Sequence, residues 1–164
     1  MCRNGGLGAD AVIRAYQQAK APTPLCPSAS PAQDGCRAIA VVGDAPGEPR
    51  LRYFTKPLGV DTELLALTGP VDPTAVLRFA APCAENACQH FDGADCRLVQ
   101  KMVTLLPPAV ERLPPCPIRP QCRWWLQEGR DACRRCPEVL SLRQRLSELQ
   151  ARVADPTYPL PASA

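Results

Sequence analysis

The clearest alternation of apolar and polar positions lies in residues 36–44, CRAIAVVGD, and 49–55, PRLRYFT, two β-prone runs joined by a short Ala-Pro-Gly-Glu connection. Two such runs around a turn predict a β-hairpin. In the second run Leu51 and Tyr53 fall opposite Arg52 and Phe54, so a period of two half-buries one face. Helical signals follow. Asp61 can cap a helix through Leu67 with Gly69 just past its end, and Asp72 followed by Pro73 can start another through Ala81. Leu98, Val99, Met102, Val103, Leu105 and Leu106 recur at helical spacing and predict an amphipathic helix that Pro107 and Pro108 stop. After Cys136, Pro137 can open a last helix striped by Leu142, Leu146, Leu149 and Val153. Two heptads are too few to argue dimerisation, so this helix is expected to dock on its own domain.

The ends carry less pattern. Residues 9–20 form one amphipathic stretch, and residues 21–35, APTPLCPSASPAQDG, read as a flexible linker rich in Pro, Ser and Ala. DPTYPLPASA at the C-terminus reads as a disordered tail. The expected organisation is an N-terminal helix and linker over 1–35, a small α+β segment with the hairpin over 36–82, a Cys-rich metal-binding module over 83–139, and a C-terminal helix and tail over 140–164. The fold class is α+β, the second half mostly helical and stapled by metal.

Composition explains why staples are needed. The apolar share of 46% includes ten cysteines and much alanine, whereas Ile and Phe contribute three residues each, so the core is thin for 164 residues. Twenty prolines break regular elements into short pieces. Structural metal can replace part of the missing apolar stabilisation. MCRNGGLGADAVIRAYQQAK lacks the basic and apolar regions of an export signal, and no apolar run reaches the ~20 residues of a membrane span. A cytoplasmic address is expected, with no membrane association. There, dense thiols hold metal more readily than they cross-link.

Seven of the cysteines and the single histidine fall in two bursts. The first, PCAENACQHFDGADC, holds Cys83, Cys88, His90 and Cys96; the second, CPIRPQCRWWLQEGRDACRRC, holds Cys116, Cys122, Cys133 and Cys136. Four and four is the ligand count of two tetrahedral sites. Cys133 and Cys136 have the two-residue gap that turns successive thiolates to one metal, the most specific spacing in the chain. Gly93 suits a tight turn within the first burst, and Asp92 and Asp95 suit turn and capping roles. His90 reads equally well as a ligand or as a neighbour hydrogen-bonded beside the site. Cys2, Cys26 and Cys36 show no metal spacing among themselves and read as small packing residues.

Metal identity stays open at this level. Zinc sites favour paired C-x2-C knuckles, and only one is present. Cys-Pro occurs at Cys116 and at Cys136, and iron-sulfur ligation commonly ends in Cys-Pro with irregular gaps. Trp124, Trp125, Phe91 and Ile118 can shield a cluster. One or two iron-sulfur clusters, of the four-iron type, are therefore favoured over zinc, with redox-active thiols third. The net charge is +3, and residues 110–152 carry nine Arg against five acidic residues. Arg119, Arg123, Arg130, Arg134 and Arg135 interleave with the second burst, where a divalent metal on four thiolates has a formal charge of −2. Local compensation is the favoured reading over a nucleic-acid surface.

The strings CxxxxCxHFDGxxC and LPPCPIRPQCRWWLQEGxxACxRCP, within residues 75–139, resemble a group of uncharacterised cysteine-rich bacterial proteins, some loosely labelled nitrogen fixation proteins. That resemblance implies an iron-sulfur or related metal role. Cys-Pro-Ile-Arg-Pro-Gln-Cys is also similar to the WhiB-like iron-sulfur regulators, whose C-x2-C-x5-C core and Gly-Val-Trp-Gly-Gly turn are absent here. With one histidine and no phosphate-loop match in GDAPG, an autonomous enzyme is not expected. The expected function is a cytosolic iron-sulfur protein acting in electron transfer, redox sensing or as accessory to a larger enzyme, with a redox enzyme or electron donor or acceptor as partner. The alternative is a zinc-stabilised adaptor or nucleic-acid-binding module.

Overall fold

A computed structural model of the chain describes residues 10–13, 22–43, 50–139 and 146–160. Its fold is α+β. Four strands, β1 (Leu25–Cys26), β2 (Arg37–Val42), β3 (Leu51–Gly59) and β4 (Leu77–Pro82), form an antiparallel sheet in the order β1-β4-β2-β3. The expected hairpin is β2 and β3, with Val42 opposite Leu51 and Gly43 N–H donating to Arg50 C=O at 2.9 Å. The connection over 44–49 lies outside the described residues, as do Cys2 and most of the 9–20 stretch, of which 10–13 are helical.

Alternate residues of the sheet feed two cores. Ile39 and Ala80, with Tyr53 and Leu25 beside them, pack on one side against Val99, Met102, Trp124 and Val153. Ala38, Phe79, Ala81 and Leu77 pack on the other with Phe54, Leu64 and Val76. Both faces are thus covered, where alternation in the second run predicted one. Two short helices lie on that second side. In α1 (Thr62–Ala66) the Asp61 carboxylate accepts from Leu64 N–H at 2.8 Å, and Gly69 follows at φ 69°. In α2 (Pro73–Val76) Asp72 accepts from the Thr74 N–H and hydroxyl at 2.8 and 2.6 Å.

The second of these helices was expected to reach Ala81 but ends after one turn. Leu77–Pro82 is instead β4, an inner strand whose residues 77–81 are all buried. A strand covered on both faces has no period of two to announce it. The linker expectation is also corrected. Leu25 and Cys26 pair with Pro82 and Ala81, Pro27 and Ala29 are buried, and Ala29 N–H donates to Phe79 C=O at 3.4 Å. Prolines suit this place, because an edge strand needs donors on only one side.

The cysteine-rich half supplies α3 (Arg97–Leu105), α4 (Arg123–Arg135) and α5 (Glu148–Ala154). The first matches the apolar face read from the sequence, with Val99 and Met102 fully buried. In α4 the backbone kinks at Gly129 (φ 57°, ψ −132°). No long helix starts at Pro137: residues 136–138 make one 3-10 turn, and 140–145, with Leu142, lie outside the described residues. In α5 Gln150 and Val153 point inward, and Leu146 lines a space with Leu106, Val139 and Val153, so Leu146 and Val153 of the stripe dock on the domain while Leu149 is exposed. Ser147 and Gln150 close a capping box at its start. Part of the expected tail is ordered: Lys101 Nζ donates to Asp155 C=O, and Arg152 stacks 5.6 Å from the Tyr158 ring centroid. No described helix is long and apolar enough to cross a membrane.

Candidate metal centres

The second burst folds around α4. Cys122 is its N-cap, buried, with the backbone N–H groups of Trp124 and Trp125 directed at its sulfur. Cys116 precedes it across a 3-10 turn in which Arg119 N–H donates to Cys116 C=O and Cys122 N–H to Arg119 C=O. Cys133 and Cys136 stand at the far end of the helix, beyond the Gly129 kink. All four line one cavity of about 20 Å³, walled by Pro27, Ile39, Tyr53 and Trp124 and almost wholly apolar. Sheet and helices therefore build this space together.

Burial pushes these thiols up, Cys122 to about 12 and Cys116 to about 11, and the nearby Cys136 thiol adds to both. Cys133 is raised by burial and partly relieved by a hydrogen bond and charge from Arg119. Among the described residues no three Cys, His, Asp or Glu side chains converge closely enough to hold a single metal ion.

Two arginines face the group. Arg78, on β4 and 3% exposed, donates from Nε to Pro27 C=O at 2.5 Å and from the guanidinium to Val139 C=O. Its remaining nitrogen lies 3.5 Å from Cys136 C=O and 3.8 Å from Cys136 Sγ, with the Trp124 ring centroid 5.7 Å away. Tyr53 O–H donates to the same sulfur at 3.8 Å. Arg119 donates to Pro114 C=O and lies 5.6 Å from the Trp125 ring centroid.

The other interleaved arginines mostly turn inward. Arg123 pairs with Glu85 at 2.6 Å, Arg134 with Glu111 at 3.5 Å, and Arg135 donates to Leu106 C=O at 2.6 Å and to Asp131 at 3.1 Å. Arg130 alone of the five is exposed.

The first burst is organised around α3. Cys83 leaves the end of β4, its N–H donating to Pro24 C=O at 2.8 Å. Cys88 follows a 3-10 turn that starts at Glu85, whose φ of 45° is left-handed. Cys96 is the N-cap of α3, with the N–H groups of Leu98 and Val99 directed at its sulfur. Gln127 of α4 brackets it, accepting from Cys96 N–H at 2.9 Å and donating to Cys96 C=O at 3.2 Å. Asp92 accepts from the Ala94 and Asp95 N–H groups beside Gly93 at φ 102°, the turn expected there. His90 is half-buried in the loop, its carbonyl accepting from Arg97 N–H at 2.7 Å.

Cys26 of β1 lies beside Cys83, across from the end of β4. Burial pushes its thiol up to about 12, and the Cys96, Cys83 and Cys88 thiols add to it. Only the long-range pairing of β1 with β4 could have revealed it, since no spacing links Cys26 to the burst. Cys36, by contrast, packs on the second core away from both groups, as expected.

No known protein family, curated protein or solved structure matches the chain.

Proposed function

We propose that the chain is an iron-sulfur protein of one-electron transfer, with Cys116, Cys122, Cys133 and Cys136 holding a four-iron cluster. The observation that carries this reading is the shared apolar cavity that the four thiols line, with Cys116 and Cys136 each followed by Pro as iron-sulfur ligands often are. Once bound, such a cluster accepts and returns one electron. The residues around it tune and protect that exchange. Trp124, Ile39 and Tyr53 keep water from the cavity, which favours a retained cluster over one discharged on oxidation. Arg78 and Tyr53 both direct donors at Cys136 Sγ, and such donors together with buried positive charge set the potential of a thiolate-bound cluster.

The rival nucleic-acid reading loses its basis in the burst itself. Arg123, Arg134 and Arg135 have side chains only 15, 24 and 13% exposed and are paired internally, so they offer little to a phosphate backbone. Anaerobic purification tests the proposal. Brown protein with a broad band near ~400 nm and matched iron and sulfide is expected. Colourless protein carrying zinc alone overturns it and leaves the zinc-stabilised adaptor.

A further inference from the structure

We propose that Cys26, Cys83, Cys88 and Cys96 form a second four-thiolate metal centre, with Cys26 of the edge strand, and not His90, as the fourth ligand. It rests on the iron-sulfur reading for the class of metal it takes, but not for its ligand set.

Backbone pairing delivers the four residues from three directions. Antiparallel pairing sets Cys26 opposite Ala81, so Cys83 leaves β4 beside the strand that carries Cys26, and the Cys83 N–H bond to Pro24 C=O fixes that exit. The 3-10 turn at 85–87 then carries the chain to Cys88, and the Arg123 to Glu85 ion pair holds this turn on α4. A bridge between Phe91 and Cys96 folds the loop back, so that Cys96 returns at the head of α3. Leu25, the neighbour of Cys26, packs against the buried core that contains Cys96, which sets the edge strand against the head of α3.

The experiment compares anaerobically purified full-length chain with Cys26→Ser, His90→Ala and Cys122→Ser, counting iron, sulfide and zinc per chain. Cys26→Ser is expected to lose about half of the metal and His90→Ala to keep it. Full metal in Cys26→Ser, with or without loss in His90→Ala, overturns the proposal. Zinc in place of iron that still halves in Cys26→Ser supports this centre while sinking the iron-sulfur reading. Iron that is abolished in Cys122→Ser yet untouched in Cys26→Ser sinks this centre and leaves that reading standing. Should Cys26→Ser fail to fold, iodoacetamide mapping of the unaltered chain decides, with Cys36 as internal control. Cys26 is expected to be protected in the metal-loaded chain and alkylated after chelation; labelling that chelation does not change overturns the proposal.

Discussion

The guanidinium of Arg78 lies 3.8 Å from the sulfur of Cys136, and that arginine is buried among three carbonyls, a thiol and the face of Trp124, with no carboxylate of the described residues among its hydrogen-bond partners. An isolated buried cation costs several kcal/mol, so a compensating negative charge on the cysteine group gives this arrangement its sense. Removing the cation should make the bound centre harder to reduce. Arg78→Met is expected to lower its reduction potential, by about 60 mV for each ~1.4 kcal/mol of interaction lost in a one-electron couple. Arg78→Lys, which keeps the charge without the fork, should fall between the two. Redox titration of the loaded proteins checks this, and an unchanged or raised potential in Arg78→Met would count against it.

Gly129 interrupts α4 between Cys122 and Cys133 with a φ of 57° and ψ of −132°, where a Cβ has open space but a strained backbone. Gly129→Ala should therefore cost ~1–3 kcal/mol through conformation alone and misdirect Cys133 relative to Cys122. Gly69→Ala, at φ 69° and also in open space, should cost ~1 kcal/mol without touching metal content. Denaturant midpoints and metal counts on the two variants separate these effects.

Metal removal should expose an alkaline weakness. Folded-state thiols at about 12 for Cys26 and Cys122 and about 11 for Cys116 lie above the ordinary 9.0, so the folded, metal-free chain holds protons that the unfolded chain releases. Their contribution is fully present below pH 9 and is lost as pH rises from there towards 12. Lys101, pushed down by burial, acts in the opposite sense, as one group against three. Chelated, reduced protein is expected to unfold at lower denaturant near about pH 10 than near about pH 8. A higher midpoint at the alkaline pH would refute the burial of these thiols in the folded chain.

Gln127 ties α4 to the head of α3 through both backbone groups of Cys96. Gln127→Ala leaves two partly buried polar groups to find water, at a cost of ~1–3 kcal/mol. Metal content measured under mild chelation should show one centre released early in this variant and the other unaffected. Simultaneous release of both would mean that the two cysteine groups do not behave separately.

Much of the local structure is legible in the residues alone. The β2–β3 hairpin, the caps at Asp61 and Asp72 and the face of α3 follow from spacings of a few residues. The second cysteine group is legible for the same reason, since its members lie within one turn, one helix and one C-x2-C. What escapes is whatever long-range pairing creates. Leu77–Pro82 carries a helix-start signal before it and no alternation within it, so only its place between β1 and β2 makes it a strand. Cys26 gains its neighbours, and Arg78 its burial, from that same strand. A lone arginine in an apolar run reads as an exposed interruption until the cysteines across the sheet are in place. The stripe of the last helix holds at Leu146 and Val153 but not at Leu149, because Gln150, bonded to the Glu138 carbonyl at 2.8 Å, takes the inward position.

Leu25 forms a backbone bridge with Cys122, and the next residue, Cys26, sits with Cys83, Cys88 and Cys96. One edge strand therefore reaches both cysteine groups. Residues 116–136 supply all four thiols of one group from a single short stretch, yet the cavity they line also needs Pro27, Ile39 and Tyr53 from the sheet half. The other draws on residues 26 to 96, and its earliest thiol is brought back by a strand that can pair only after residue 82 has emerged. In that interval Cys26 is an unassembled thiol, and the step that ends its exposure is completion of the sheet.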